Sequence, residues 1–554
     1  MPDPAAAEVV FDGLAADFFS VWFRFHPDLA CEAGVTSVGP PLPPQSDDEL
    51  AALAGWLESL VVALEEIDFN ALDQVRRIDL ELMFAAARVE HRELHLRDWR
   101  RRDPVRFLPT GEVYRLTLAP PRDLRGTLLR LLEAMPQYLR LAAAQLIPAA
   151  PLIAPEMVQA GIAEAEKGRC YLRELASSPW LRKHCHGWGQ LELIADEACS
   201  ALAGFADVLR AEVAPRAAGV LGCGADHLRF LLRHRHFIDC DPAALAPLLD
   251  QALDETDGLL GDLCASLGIA MAEASRWLDA VAVDGRTRIE SYHVECERLH
   301  AMLRDKGIVT LPQIPLHVCE RPDCPRPQRL GADYVASWGD QCHGTLFLAS
   351  RDPAPILDAG AELGGGSAPD ALARVRGRCL SRTWGGAHLI AFAGGEAARR
   401  LPRRLASGSS LSGGWDLYLR ERLAAGDGLG ASAPERLHGL LHRRALIRRA
   451  RLELALHSGQ LGAPEVGARL EAQGEDRDRL IRLARAPGDA IAAVLGWRMI
   501  WAARRLLERR QGSGFSERGF HDALVGQGPI PLPLVLRYGL GVDVWDEVRG
   551  AVLG

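Results

Sequence analysis

Apolar residues recur at helical spacing along most of this chain. The segment Phe11 to Phe25 predicts a helix that stops at His26-Pro27, because proline disfavours the helical conformation in the residue before it. Leu50, Leu53, Trp56, Leu57, Leu60, Val61 and Leu64, followed by Leu80, Leu82, Met83, Phe84 and Ala87, predict a helical hairpin between Asp47 and Trp99. The same period predicts helices over 122–146, 155–175, 190–213, 226–237, 241–267 and 271–306, joined by short Pro, Gly and Asp connections.

The texture changes between Ile308 and Ala349. Val309-Thr-Leu-Pro312, Ile314-Pro-Leu-His-Val318, Ala332-Asp-Tyr-Val-Ala-Ser-Trp338 and Gly344-Thr-Leu-Phe-Leu348 are short β-prone pieces bounded by Pro and Gly, and they predict a small antiparallel sheet or a set of hairpins. Gly364-Gly-Gly-Ser367 predicts a flexible loop before helices resume at Ala368. Those three glycines have neither a preceding strand nor a Lys-Ser/Thr sequel, so they do not read as a phosphate cradle. The expected fold class is therefore mainly α, a large multi-helical body with a small antiparallel β-sheet.

Composition sharpens this in three places. Hydrophobic residues make up 48% of the chain but aromatics only 6%, so the interior must be built mostly from Leu, Ala and Val, which favour helix. The net charge of -9 is spread over interspersed acids and bases, which argues against nucleic acid or an anionic membrane as the main partner. Arg443, Arg444, Arg448, Arg449 and Arg451, and then Arg504, Arg505, Arg509 and Arg510, are expected on solvated helix faces, since no aromatic platform accompanies them. The N-terminal residues show no basic start and no apolar leader, and no apolar run approaches 18 residues, which leads us to expect a cytosolic protein. In that compartment the 12 cysteines, scattered without a paired framework, would act mostly as small buried apolar side chains.

Several motifs, in order, resemble the bacterial family called domain of unknown function 885, whose members look like helical zinc metallopeptidases. Phe18-Phe-Ser-Val-Trp-Phe-Arg-Phe-His-Pro27 is similar to its opening helix, Arg130-Leu-Leu-Glu-Ala-Met-Pro136 to a family helix entry, and Lys306-Gly-Ile-Val-Thr-Leu-Pro312 to the lead into the small sheet. Gly414-Trp-Asp-Leu-Tyr418, Arg451-Leu-Glu-Leu-Ala-Leu-His457 and Phe520-His-Asp-Ala-Leu524 with Gly528-Pro-Ile-Pro-Leu532 resemble its Glu-Gly-Trp, Asp-x-Gly-Leu-His and closing segments. The resemblance spans essentially the whole chain. It implies one domain over 1–554, with a helical half (1–306), a small β region (307–350), a second helical half (351–554) and a central cleft.

The resemblance also implies a zinc site made by His-Glu-x-x-Pro-Gly-His and the glutamate of Glu-Gly-Trp, with the first glutamate acting as general base. Laid on Cys379-Leu-Ser-Arg-Thr-Trp-Gly-Gly-Ala-His388, the first His becomes Ser381, the general base Arg382 and the second His Ala387, while the ligand glutamate becomes Gly413. A hydroxyl is a poor zinc donor, alanine and glycine offer none, and a guanidinium repels a cation. The expectation is a member whose metal site is erased, with no cofactor.

Other residues could carry chemistry. Arg382, His388, Tyr418 and His457 are the catalytic candidates of the inherited cleft, and Trp384, Trp415 and His521 its ligand-binding candidates. Cys319, Cys324, Cys342 and His343 could form a structural zinc knuckle, though unrelated thiols are the expectation. His293, Cys296 and His300 sit at helical spacings that a one-faced metal site could use, though packing and helix-surface charge are the expected account of them. The expected function is a catalytically degenerate peptidase-like protein binding a peptide-like or small anionic ligand, or a protein partner, in the inherited cleft. A metal-independent hydrolase or biosynthetic tailoring enzyme is the alternative, and a zinc hydrolase with non-standard ligands the second.

Overall fold

The structure, a computed structural model, describes residues 4–35, 41–185, 188–280, 287–321, 334–338, 342–348, 372–425, 431–476 and 478–554. Its residues group into two compact units. The first comprises Met1–Leu221 and Arg321–Val335, and the second Gly222–Glu320 and Ala336–Gly554.

The first unit is helical. It holds α1 (Pro4–Phe25), α2 (Asp47–Glu65), α3 (Gln74–Leu96), α4 (Leu124–Ala149), α5 (Pro155–Ser177) and α6 (Trp188–Val208). The Asp47-to-Trp99 hairpin forms as predicted, because each of its helices carries its own start signal. Ser46 accepts from the Glu49 N–H at the head of α2, and Asp73 accepts from the Arg76 N–H at the head of α3. Leu57, Leu60 and Leu64 of α2 and Ile78, Met83 and Ala87 of α3 are fully or almost fully buried, giving each helix an apolar face, which is why the two helices pack on each other.

The second unit contains α7 (Pro242–Leu267), α8 (Arg288–Asp305), α9 (Leu372–Arg382), α10 (Ala387–Phe392), α11 (Ser409–Ala424), α12 (Ala433–His457), α13 (Asp489–Gln511) and α14 (Glu517–Val525). Capping boxes start α8 (Thr287 with Glu290) and α12 (Ser432 with Glu435). The single helix expected over 271–306 is broken: a short turn and helix end at Ala280, and α8 begins afresh at its own capping box.

The β region follows the sequence less closely. Strands β1 (Leu316–Glu320), β2 (Tyr334–Ser337) and β3 (His343–Leu348) form one sheet in the order β1-β3-β2. The strands β1 and β3 run parallel, Val318 opposite Leu346, where the turn residues had suggested antiparallel hairpins. The physical reason is connection length: β1 reaches β3 only after a long crossover, not across a tight turn. Val309 to Pro315 forms no strand, because Pro312 and Pro315 lack the N–H a ladder needs. The Gly364–Gly366 loop lies outside the described residues.

The closest helix contact of the second unit is the crossing of α11 and α13, and it is made by small residues. A Cβ on Gly414 would lie 2.6 Å from the Gly496 carbonyl carbon, and one on Gly496 would lie 1.9 Å from the Ser410 carbonyl oxygen. With hydrogens at these positions the two backbones touch, and Trp415 is pinned between them and the turn after α9.

Candidate functional site

The segment that would carry the zinc helix is the end of α9, a tight turn and the start of α10. Thr383 Oγ1 donates to the Cys379 carbonyl at 2.5 Å, closing the last turn of α9. The turn requires glycine at 386, where a Cβ would meet the Ser381 carbonyl oxygen at 2.0 Å. Trp415 Nε1 donates to the Gly385 carbonyl at 2.7 Å, tying the turn to α11. The turn is thus held to α9 by Thr383 and to α11 by Trp415.

A guanidinium occupies the neighbourhood of the first exchanged donor. Ser381 Oγ donates to Asp416 Oδ1 at 2.6 Å and accepts from Arg420 Nη2 at 2.5 Å. Arg420 also donates through Nε to Asp416 Oδ2 at 3.0 Å and through Nη2 to the Gly377 carbonyl at 2.8 Å. The imidazole of His442 closes on Asp416 Oδ2 at 2.9 Å, and His438 Nδ1 lies 3.3 Å from Arg420 Nη1. Both partners of the central pair are largely buried, with side chains 9% and 12% exposed. Burial alone would push the Asp416 carboxyl up, but Arg420 and the bonds from His442 and Ser381 hold it well below the usual carboxylate range. Burial, then Arg420, drives His438 well below its ordinary value, so it meets the guanidinium as a neutral acceptor.

These residues do not fit the zinc ion the resemblance implies. The hydroxyl of Ser381 is committed to Asp416 and Arg420, and a fixed positive charge already lies against it. At the position of the ligand glutamate, a Cβ on Gly413 would lie 2.4 Å from Ala493 Cβ, so α13 leaves no room for a side chain there. Ala387 contributes a methyl group.

The catalytic candidates fall into distinct places. His457 is fully buried, accepting from the Cys223 N–H at 3.1 Å on Nδ1 and facing the Leu483 carbonyl at 3.0 Å with Nε2. His388 is buried between Trp384 and Phe392, and Nε2 donates to the Ile314 carbonyl at 3.0 Å; burial pushes its pKa down to about 4. Tyr418 and His521 do meet. The Tyr418 hydroxyl donates to His521 Nε2 at 2.7 Å and accepts from Arg504 at 2.8 Å, and His521 Nδ1 donates to the Ile308 carbonyl at 2.7 Å. Burial raises Tyr418 to about 12 and lowers His521 to about 4, so this chain is an uncharged phenol bonded to an uncharged imidazole. Both side chains and Trp415 are fully buried, whereas Arg382 is half-buried at the end of α9.

Trp384 has a different setting. It lines a pocket of about 610 Å³ with His300, Arg304, the strap Val309 to Pro315, and Arg518. The rings of His300 and Trp384 meet edge to face at 4.6 Å. One wall is an apolar, proline-rich strap, and two guanidinium groups supply positive charge. Arg518 donates to Thr310 Oγ1 at 3.1 Å and, like Arg304, keeps more than half its side chain exposed.

The remaining expectations sort themselves by burial. Cys296 turns to Cys379 Sγ at 3.5 Å, His293 is exposed and His300 faces the pocket, so these three form no ligand set. Cys319 is exposed on β1, Cys342 and His343 are half-buried, and Cys324 lies outside the described residues. The arginine-rich stretches are not simply solvated faces. Arg449 is buried against Glu475 at 2.5 Å and Arg504 against Glu517 at 2.6 Å, because helices surrounded on several sides must bury some of their charges as pairs. Arg420, Asp416, His438 and His442 escaped the sequence reading, although the i,i+4 spacing of Asp416 with Arg420 and of His438 with His442 was a visible signal.

Comparison with known proteins bears on these observations. A family model described as "Bacterial protein of unknown function (DUF885)" matches residues 27–537. No curated protein matches the chain. Among solved structures, "a putative lipoprotein of unknown function from Shewanella oneidensis" superposes with a TM-score of 0.74 at 16% identity, covering 96% of this chain and 99% of its own. "The putative lipoprotein from Colwellia psychrerythraea" superposes with a TM-score of 0.77 at 14% identity, covering 98% and 99%. Both share the fold. Their description as lipoproteins overturns the cytosolic expectation: attachment through a covalent lipid needs no long apolar run, so composition was no guide to compartment. No helix among the described residues is long and apolar enough to cross a membrane.

Proposed function

Because the chain belongs to the bacterial family of unknown function DUF885, we propose that it is a non-catalytic member whose inherited site binds a small or peptide-like ligand carrying an anionic group. The observation that carries this reading is the 610 Å³ pocket beside the Gly385–Gly386 turn, where Trp384 and His300 offer aromatic faces and Arg304 and Arg518 offer charge. A carboxylate is the matching group, since a guanidinium accepts it in a two-pronged geometry. The residues at the family's ligand positions support the non-catalytic part of the reading, because Arg420 sits against Ser381 and Ala493 fills the space before Gly413.

A metal-independent enzyme would need an acid, base or nucleophile that a substrate can touch. His388, Tyr418 and His457 are interior and bonded to protein groups, which places that reading second.

The test is calorimetric titration of the purified protein with short peptides ending in a free carboxylate, beside the same peptides amidated. The carboxylate forms bind, the amides bind at least about tenfold more weakly, and Trp384→Ala or Arg518→Ala abolishes the difference. Turnover of peptide or ester substrates that is lost on replacing His388 or Tyr418 would defeat the proposal.

A further inference from the structure

We propose that Glu58, His91 and His95 form a divalent transition-metal site on the first unit, bridging α2 and α3 and independent of the pocket described above. Among the described residues these are the three metal-binding side chains whose donor atoms all lie within 4.8 Å of one another. Two come from one helix: His91 and His95 are one turn apart on α3, with ring centroids 4.3 Å apart. The third comes from the partner helix of the hairpin, Glu58 Oε1 lying 2.9 Å from His91 Nε2.

The second-layer geometry suits a ligand as well. His95 Nδ1 lies 2.9 Å from the His91 carbonyl, a contact it can make only as a donor, which leaves Nε2 as the atom that can face an ion. A histidine that ligates a metal commonly gives its other N–H to a backbone carbonyl in this way, which fixes tautomer and ring orientation. Ring orientation is thus set before any ion arrives. The proton now shared between His91 and Glu58 is what an ion would displace, since a bound metal needs both as unprotonated donors.

The donor set names the ion class. Two imidazoles and one carboxylate suit Zn²⁺, Co²⁺ or Ni²⁺, whereas Mg²⁺ and Ca²⁺ require more oxygens than these residues offer. Glu58 is 63% exposed, so solvent reaches the remaining coordination positions. Because the ligands span the hairpin, an ion there clips α2 to α3.

Calorimetric titration of tag-free, EDTA-treated full-length protein with Zn²⁺, and absorbance with Co²⁺, tests the site. One equivalent binds, His91→Ala and His95→Ala each weaken binding at least about tenfold, Glu58→Gln weakens it less, and Zn²⁺ raises the melting temperature of the wild type only. No binding by the wild type overturns the proposal. So does binding of equal affinity in the His91→Ala/His95→Ala protein, which would place the ion elsewhere and count against the pocket reading instead. If His91→Ala fails to fold, His95→Ala carries the test, since that side chain is exposed.

Discussion

The hydroxyl of Ser381 donates to Asp416 Oδ1 at 2.6 Å across the gap between α9 and α11. It does so in the grip of Arg420, which contacts both residues. A positively charged side chain thereby does by hydrogen bonding what a bound cation would do by coordination: it holds two helices together around an otherwise costly buried carboxylate.

Arg420→Ala should be severe. It leaves Asp416 charged in a largely buried place, with only Ser381 and His442 as partners, and breaking one side of a buried pair costs about 3–5 kcal/mol. Guanidinium denaturation measures it. A loss below about 1 kcal/mol would mean that the pair behaves as a solvent-screened surface contact.

Gly413→Ala should destabilise by about 1–3 kcal/mol, because its new methyl meets Ala493 Cβ at 2.4 Å. Adding Ala493→Gly should restore most of that loss, which separates overpacking from a change in helix propensity. If the double variant is no better than the single one, the contact is not the cause.

Acid should weaken the fold through its buried histidines, against an opposing gain from Glu112 and Glu453, whose carboxyls burial raises to about 7 and about 8. Burial lowers His236, His388 and His521 from an ordinary 6.5 to about 4. The unfolded chain therefore binds protons that the native state refuses. Stability from these groups is intact above the unfolded value and is lost as pH falls from 6.5 towards 4, at about 1.4 kcal/mol per pH unit for each histidine. Asp416, whose folded value is depressed, adds a further loss only below the ordinary aspartate range. Between about pH 7 and about pH 5 the His236→Gln protein should lose less stability than the wild type, since the two carboxyls act alike in both. The same change with pH in both proteins would refute it.

Tyr418→Phe should cost about 1–3 kcal/mol, since it strips a donor from His521 Nε2 and an acceptor from Arg504 in a fully buried place. Ligand affinity in the Trp384 pocket should not change, because Tyr418 does not line it. A loss of affinity without a loss of stability would reassign Tyr418 to the binding site.

Much of this was legible along the chain. The α2–α3 hairpin announced itself through Leu57, Leu60 and Leu64 and through Leu80, Leu82, Met83 and Ala87. That Ser381, Ala387 and Gly413 lack the donors the resemblance implies was visible residue by residue. The pairing of β1 with β3 was not, since short β-prone pieces do not encode the direction of their neighbour. Nor was the role of Arg420, which meets Ser381 across 39 positions of the chain.

The order of apolar and polar residues determined the helices, their starts and stops, and the chemical incapacity of the old ligand positions, because those depend on neighbours three or four residues away and on what each side chain can donate. Tertiary structure alone decided that Arg420 meets Ser381, that Ala493 closes the space before Gly413, and that Trp384 faces a pocket while Trp415 is interior. These are contacts between residues distant in the chain, and no local periodicity carries information about which surfaces packing will bring together.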